Sequence, residues 1–441
     1  MELTGVQVGW LMVALALGLM LLGWPVAVTM IIAGFTGMLL IKGWAPALGL
    51  IGWQTWTQSL KQILIIVPLY IWLGVMAGRG GTGADAFTAV YKWVGQFRGG
   101  LAYAVAVATA AFSAISGNHI AAAVAMSRIS FPEMKKYKYQ EGFSLAVIAA
   151  SANLDIMIPP SGSFILYGFL TDTSIADLFI AGILPGIFIA VTLIIQIAVQ
   201  TRLNPSLAPA GPRVGWIDKL KHTYLLWPIV LVFLLVIGGI YLGVFTTTEA
   251  ACVGCFVIMV ISMARRKLNV KGVIQTLRDT LPTSAMIMLM LIGGWIFAST
   301  LAVSGLPQAI TDSIVASGLG RYAVLALILV VYIIAGTLTD IYAVLVITLP
   351  IFFPLLCGPG GLGFDPLHFG VLCVAAIMVG SISPPFAILA FALHGVYKEV
   401  PLTSIFRASI PFVITTAIAM FIIMFWPQLP LYLTGPSIPP G

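Results

Sequence analysis

Long apolar runs alternate with short polar segments along the whole chain. An apolar run of about 20 residues can cross roughly 30 Å of hydrocarbon as a single helix. Uninterrupted runs therefore predict membrane-spanning helices at residues 6–22, 25–41, 64–78, 178–199, 224–244, 250–263, 283–303 and 410–426.

Two further runs, around residues 101–128 and 323–356, are interrupted near their centres. The first carries the sequence SGN, from Ser116 to Asn118, and the second carries GTLTD, from Gly336 to Asp340. Each interruption predicts a helical hairpin that enters the membrane and returns to the same side.

Two other runs, 143–169 and 369–391, carry adjacent prolines and are predicted to be broken membrane helices. When Pro159-Pro160 is aligned with Pro384-Pro385, the flanking segments EGFSLAVIAA and PLHFGVLCVA also coincide. The chain thus contains one unit twice. The predicted repeats are residues 1–200 and 223–441, separated by a linker, residues 201–222, that is rich in proline and basic residues.

The composition indicates that most of the chain lies in a lipid bilayer. Apolar residues make up 60% and charged residues 8%, whereas soluble domains carry about 25% charged residues. The net charge of +7 comes from basic residues spread between apolar runs, so the sequence does not indicate nucleic-acid binding. It predicts an all-α integral membrane protein, with residues 6–22 as a retained segment because they lack signal-peptide features.

The basic residues predict the orientation. If the interrupted runs are hairpins, 18 of the 21 lysines and arginines, Arg213 among them, lie on one side, and only Lys42, Lys61 and Arg321 lie on the other. The positive-inside rule makes the first side cytoplasmic. The linker is then cytoplasmic and both termini are periplasmic. An odd number of crossings precedes the second repeat, so the prediction is an inverted-topology repeat.

The broken helices provide the candidate chemistry. Paired prolines remove backbone donors and leave carbonyls free at membrane depth, where irregular backbone must line protein or a wet cavity. Nearby hydroxyl and amide oxygens are hard ligands suited to Na⁺: Ser116, Asn118, Asn153, Ser161, Thr337, Thr339, Ser381 and Ser383. A single proline pair is commonly only a kink, but two matched pairs, each with its own hairpin, favour a binding site.

Carboxylates inside apolar segments are costly and indicate function by default. Asp340, at the second hairpin tip, is predicted to hold a cation or to orient its ligands. Asp155 aligns with Gly380, so the symmetry of the repeat does not support a shared role. Two interpretations of Asp155 remain, ion or proton coupling and a capping role. His119 is either a titrating group or an ordinary buried histidine. Glu249, three residues after Thr246, is predicted to cap a helix.

At these residues the sequence resembles a known family. The phrases PEMKK (132–136), IPPS (158–161), LFIAGILPG (178–186), TEAA (248–251) and GTLTDIYAVL (336–345) resemble the large membrane subunit of the tripartite ATP-independent periplasmic (TRAP) transporters. The resemblance extends over nearly the whole chain. It implies an elevator-type transporter of the bacterial inner membrane, driven by two or more Na⁺ ions. It also implies two partners, a periplasmic substrate-binding protein that delivers an organic acid or similar solute and a small four-helix membrane subunit.

The resemblance also implies roles for single residues. Each hairpin tip and its adjoining break would hold one Na⁺, with the ligand positions Ser116, Gly117, Asn118, Asn153, Asp155, Pro159, Gly336, Thr337, Thr339, Asp340, Gly380, Ser381 and Ser383. The solute would lie between the tips, near Ser116, Asn118, His119, Pro160, Ser161, Thr339, Asp340 and Pro385. Asn118, Asp155 and Ser383 depart from the family's usual Ser, Gly and Thr.

Other function classes fit the sequence less well. An ion channel needs a continuous polar pore, and a membrane enzyme needs a catalytic constellation that four scattered histidines do not provide. The stronger rival is a stand-alone Na⁺- or H⁺-coupled anion or dicarboxylate transporter of the same architecture, without a binding protein. The sequence does not identify the solute.

Overall fold

A computed structural model of the chain describes residues 3–212 and 214–436. Regular secondary structure in these ranges is helical, apart from an isolated bridge between Arg98 and Ala210. The predicted all-α class is therefore confirmed. The predicted cytoplasmic Arg213 and the ends of the chain, residues 1–2 and 437–441, lie outside the described residues.

The first half of the described chain forms a run of helices that ends near residue 203. They are α1 Gly5–Leu21, α2 Val26–Lys42, α3 Trp44–Ser59, α4 Ile66–Arg79, α5 Thr82–Val94, α6 Gly100–Ser116, α7 His119–Lys136, α8 Glu141–Ala152, α9 Gly162–Thr171 and α10 Ile175–Leu203.

The second half begins with short helices that follow one another almost without interruption, α11 Trp216–Thr223, α12 Trp227–Phe233 and α13 Gly239–Tyr241. The remaining helices are α14 Thr247–Ala264, α15 Val270–Ser304, α16 Leu306–Ala316, α17 Arg321–Leu338, α18 Ile341–Cys357, α19 Pro366–Ser381, α20 Ile388–Val396, α21 Leu402–Phe425 and α22 Gln428–Leu431.

Several of these helices have the length and composition of membrane spans. In the described ranges six qualify: Ile175–Leu203, Trp216–Tyr241, Thr247–Ala264, Val270–Ser304, Arg321–Leu338 and Leu402–Phe425. The predicted spans 6–22, 25–41 and 64–78 correspond to the shorter apolar helices α1, α2 and α4.

Helices also form where the apolar pattern predicted none. α3, α5 and α16 lie between predicted spans, and α15 begins 13 residues before the predicted span at 283. α5 buries one face, including Ala86, Phe87 and Val90, so it has the amphipathic pattern of a surface helix rather than a continuous apolar run. The early start of α15 is capped by Asn269, whose Oδ1 accepts a hydrogen bond from the Gly272 amide at 2.8 Å.

The helices pack as two groups. The scaffold group consists of α1–α4 and α12–α15, in which α2 packs along α15 and α14 packs along α4. The hairpin group consists of α6–α10 and α17–α21. At its centre are α8 and α19, which are buried on every side from Gly142 to Ala152 and from Leu367 to Ser381.

Within the hairpin group, helices of the first half pack against helices of the second half. α9 packs against α18 and α20 packs against α7, while α8 packs against α21 and α19 packs against α10. The predicted duplication and its orientation in the membrane both stay predictions.

The segment between the halves is tied to the base of the first hairpin. The amide of Gly211 donates to the Gly95 carbonyl at 2.9 Å, and the amide of Gln140 donates to the Leu207 carbonyl at 3.0 Å. α10 extends to Leu203 and α11 begins at Trp216. The predicted linker 201–222 therefore contains helical residues at both ends.

Candidate functional site

The first hairpin turns at two residues. α6 ends at Ser116, Gly117 has a positive φ of 70°, and Asn118 caps α7, with its Oδ1 accepting a hydrogen bond from the Ala121 amide at 3.1 Å. Glycine suits this position because a left-handed backbone is strained for other residues. The interruption lies where the SGN sequence predicts it, whereas re-entry into a membrane stays a prediction.

The second hairpin has the same construction. α17 ends at Leu338, Thr339 is extended, and Asp340 caps α18, with its Oδ2 accepting from the Tyr342 amide at 3.1 Å. Asn118 and Asp340 are thus equivalent N-caps. Gly336 and Thr337 lie in the last turn of α17, and the Thr337 hydroxyl donates to the Ile334 carbonyl of its own helix at 2.7 Å.

Both helices with paired prolines are interrupted. α8 continues as a single 3₁₀ turn, Asn153–Ile156, and helix resumes at Gly162; α19 ends at Ser381 and helix resumes at Ile388. The Pro159–Pro160 and Pro384–Pro385 bonds are both cis. The first proline pair is buried and the second is exposed, so the second break is the more accessible of the two.

The two breaks meet through one buried side-chain pair. Asn153 Nδ2 donates to the Met378 carbonyl at 2.6 Å, and Ser381 Oγ donates to Asn153 Oδ1 at 2.8 Å. Both side chains were predicted as ion ligands, and the structure places them in contact across the two halves. Their hydrogen bonds hold the breaks together in the interior.

Each hairpin tip lies against the break of its own half. A Cβ on Gly117 would lie 3.4 Å from the Pro160 carbonyl oxygen, and a Cβ on Gly380 would lie 2.8 Å from Gly336 Cα. The second hairpin also reaches the first break, since a Cβ on Gly162 would lie 2.4 Å from the Tyr342 hydroxyl. The four interruptions therefore form one cluster.

The remaining predicted residues occupy different positions in this cluster. The hydroxyls of Ser161 and Ser383 donate to the carbonyls of Ile156 and Val379, each at 2.6 Å. His119 is buried at the first position of α7. Pro385 is exposed beside the second break.

Asp155 is fully buried and has a different environment. Its polar neighbours are the hydroxyls of Ser113 and Ser116 and the amide of Gly117. Both carboxylate oxygens are without a hydrogen-bond partner among the described residues. The two predicted alternatives for Asp155, ion or proton coupling and a capping role, stay predictions.

The chemistry of the cluster favours cations. It combines hydroxyl, amide, carboxylate and backbone oxygens, which are the ligands of hard metal ions. The ion pairs found among the described residues involve neither Asp155 nor Asp340. Burial of a carboxylate without a basic partner costs several kcal/mol, which a bound cation offsets. The residues present therefore fit Na⁺.

The residues that join this cluster to the scaffold group were not predicted from the sequence. A narrow cavity is lined by Gly117, Gly162 and Tyr342 on one side, and on the other side by apolar residues of α4 and α15 such as Ile71 and Leu291. Gly74 of α4 lies against the first tip. A glycine or a tyrosine within an apolar run carries no signal that distinguishes such a contact from ordinary helix packing.

A larger cavity of about 770 Å³ lies between α1, α16 and the second hairpin. Its lining is mainly aliphatic and extends from Trp10 to Thr339 at the second tip. This lining matches lipid chains better than a charged solute.

Comparison with known proteins gives consistent matches over almost the whole chain. The family model for the DctM component of the tripartite ATP-independent periplasmic transporters matches residues 12–429. The ectoine TRAP transporter large permease protein TeaC of Halomonas elongata is 30% identical over 426 residues, covering 96% of this chain and 98% of that protein. The C4-dicarboxylate TRAP transporter large permease protein DctM of Vibrio cholerae is 30% identical over 456 residues, covering 97% and 98%.

A solved structure shares the fold. The crystal structure of the YdaH transporter of Alcanivorax borkumensis, reported for its unusual topology, aligns with a TM-score of 0.58 and covers 84% of this chain and 87% of that chain. The sequences are 14% identical in this alignment, so the likeness concerns the architecture alone.

Proposed function

Because the chain belongs to the DctM-component family of the tripartite ATP-independent periplasmic transporters, we propose that it imports a small organic solute by coupling to Na⁺. The chain is a multi-pass subunit of the inner membrane, and the transport takes place there. The solute class for this chain is a small organic acid or a similar compound. TeaC is named for ectoine and DctM of Vibrio cholerae for C4-dicarboxylates.

The observation that carries this proposal is the meeting of four helix interruptions in one cluster. Each tip offers the N-terminal end of a helix, capped by Asn118 or Asp340, beside the freed carbonyls of a break. One Na⁺ would bind at each tip among hydroxyl and carbonyl oxygens. The solute would lie between the tips, where helix N-termini favour an anionic group.

An elevator movement of the hairpin group against the scaffold group is the proposed transport step. The two groups touch mainly through α4 and α15, which pack against α6, α9 and α18. Apolar side chains and glycines dominate this boundary near the cavity. Such a boundary can slide because few polar contacts must break.

Two protein partners complete the transporter in this proposal. A periplasmic substrate-binding protein would deliver the solute, and a small four-helix membrane subunit would enlarge the scaffold group. The two halves would cross the membrane in opposite directions, with both termini in the periplasm. This orientation follows from the basic residues, not from the contacts.

Reconstitution tests the proposal against its rival. The chain and its small subunit are placed in liposomes, and solute uptake is measured with and without an inward Na⁺ gradient and the cognate binding protein. The expected result is accumulation that requires both. Uptake that is unaffected by omission of the binding protein would support the stand-alone transporter and defeat the tripartite one.

Site variants test the proposed ion ligands. Asp340→Ala and Ser383→Ala are expected to weaken the Na⁺ dependence of uptake, because each removes an oxygen beside a tip or a break. Ser409→Ala is the matched control, since that hydroxyl donates to its own helix at the Ile405 carbonyl, on α21 and outside the cluster. Unchanged Na⁺ titration curves for Asp340→Ala and Ser383→Ala would refute the assignment.

A further inference from the structure

The two breaks differ at one pair of equivalent positions. Asp155 and Gly380 each stand five residues before the second proline of their pair. A Cβ on Gly380 would lie 2.5 Å from the Ile333 carbonyl oxygen and 2.7 Å from the Gly336 carbonyl carbon, so α17 leaves no room for a side chain there. In the first half, the neighbouring α6 leaves room for a carboxylate.

The helix beside Asp155 carries a polar face that its counterpart lacks. Thr109 and Ser113 are one turn apart on α6, both are fully buried, and neither hydroxyl has a hydrogen-bond partner among the described residues. Counting back from the ends of the two hairpin helices, Ser116 and Leu338, the equivalent residues on α17 are Val331 and Ala335. α6 is thus polar at two buried positions where α17 is apolar.

Oxygen atoms without hydrogen-bond partners meet at Asp155. Ser113, Ser116 and the Gly117 amide lie around the Asp155 carboxylate, and both carboxylate oxygens and Ser113 Oγ are unpartnered among the described residues. Buried polar groups in folded proteins are normally satisfied. An arrangement of several unsatisfied oxygens around one buried negative charge is explained by a cation that they share.

We propose that Asp155 and Ser113 form an additional Na⁺ site, beside the first hairpin tip and without a counterpart in the second half. The proposal rests on the Na⁺-coupled function above. The carboxylate supplies two oxygens and the charge, and the hydroxyls of Ser113 and Ser116 supply neutral oxygens, which are hard ligands suited to this ion. Thr109 extends the polar face one turn farther from the tip.

The consequence is a change in stoichiometry. The two tips, which the halves share, account for two ions, and the site at Asp155 adds one. A transporter of this kind drives its solute with three Na⁺ ions. Loss of the site lowers the ratio by one without removing the tip sites.

The coupling ratio measures this directly. Proteoliposomes contain the chain and the small subunit, and the cognate binding protein is supplied outside. The Na⁺ gradient at which net solute flux vanishes is measured at several solute gradients and at a clamped membrane potential. The expected Na⁺-to-solute ratio falls by one in Asp155→Gly and in Ser113→Ala. It stays at the wild-type value in Ser130→Ala, the control in which a buried hydroxyl that donates to the Met126 carbonyl at 2.7 Å is lost.

A second readout does not depend on transport. Purified wild-type protein is titrated with Na⁺ against choline, and its thermal stability is followed. In Asp155→Asn and Ser113→Ala the Na⁺-dependent stabilisation is expected to shrink and to saturate with one ion fewer. These variants keep the side-chain volume or lose a single oxygen, which guards against a folding defect.

The outcomes separate the two proposals. Wild-type flux that ignores Na⁺ would defeat the Na⁺-coupled function itself. Na⁺-dependent wild-type flux with an unchanged ratio in Asp155→Gly and Ser113→Ala would overturn only the additional site. An unchanged Na⁺ ratio together with a loss of proton coupling in Asp155→Gly would also overturn it, in favour of a proton carrier.

Discussion

Gly74 on α4 lies directly against the tip of the first hairpin. A Cβ at this position would lie 1.9 Å from the Ser116 carbonyl oxygen and 2.7 Å from its carbonyl carbon. Cβ contacts shorter than 3.0 Å essentially do not occur, so Gly74→Ala must separate α4 and the tip by about 1.1 Å. The obstructing atoms belong to the backbone, and no side-chain rotation can relieve the clash.

The expected cost is large enough to shift a conformational equilibrium. Overpacking of this kind costs about 1–3 kcal/mol, and this cost applies only while the tip lies against α4. The higher helix propensity of alanine does not offset it, because α4 is helical in both arrangements. Gly74→Ala therefore disfavours the observed arrangement by a factor of about 5–150 relative to one in which the hairpin group has moved away.

Gly78→Ala provides the control on the same helix, one turn away. Its Cβ would meet only a ring carbon of Phe112 at 3.7 Å, an ordinary contact. Spin labels at Leu48 on α3 and at Asp172, both exposed, report the separation of the two groups in protein whose native cysteines have been replaced. Gly74→Ala is expected to populate a second distance, and Gly78→Ala is expected to retain the wild-type distribution. Equal distributions in both variants would refute the reasoning.

Two polar links between helices lead to further predictions. The Lys61 ammonium lies 4.6 Å from the ring centroid of Trp295 in the scaffold group and 5.0 Å from that of Phe169 in the hairpin group. Lys61→Met should destabilise this arrangement by about 1 kcal/mol, while Lys61→Arg should keep the wild-type distance distribution. Equal shifts of the distance distribution in both variants would contradict a cation–π role. Asp85 and Arg265 form a mostly buried ion pair at 2.6 Å. A double-mutant cycle on thermal stability, with alanine at each position, should give a coupling energy of about 0.5–3 kcal/mol. Additive effects of the two substitutions would show that the pair does not interact.

The sequence predicted the interruptions because their causes are local. Proline pairs, the SGN sequence and the capping residues Asn118 and Asp340 act on their own backbone, so their effects can be read without a fold. The predicted helix cap at Glu249 is confirmed for the same reason, since Thr246 and Glu249 form a reciprocal capping box.

The contacts between interruptions depend on tertiary packing. The bond between Asn153 and Ser381 joins residues 228 positions apart, and its register is set by the packing of α8 and α19. Ser113 and Thr109 look like ordinary helix hydroxyls in the sequence, since Ser and Thr commonly bond their own helix. Only the folded chain shows that both are unpartnered and that Ser113 lies beside Asp155.

Three helices were not predicted from the sequence. α3, α5 and α16 contain polar residues, and a search for continuous apolar runs passes over them. α5 follows α4 and α16 follows α15, and each precedes the first helix of a hairpin. α5 and α16 are therefore two of the connections between the groups, the third being the segment between α10 and α12, and the proposed elevator movement would have to bend at the ends of α5 and α16.

The central claim is that the joined helix interruptions bind the coupling ions, and imaging those ions tests it most directly. Cryo-electron microscopy of the chain with its small subunit, prepared in Na⁺ and in choline, compares the two hairpin tips at the same resolution. Non-protein density within ligand distance of oxygens at both tips, present in Na⁺ and absent in choline, is the predicted result. Identical maps in the two salts, or Na⁺-dependent density only at a distance from both tips, would contradict the account.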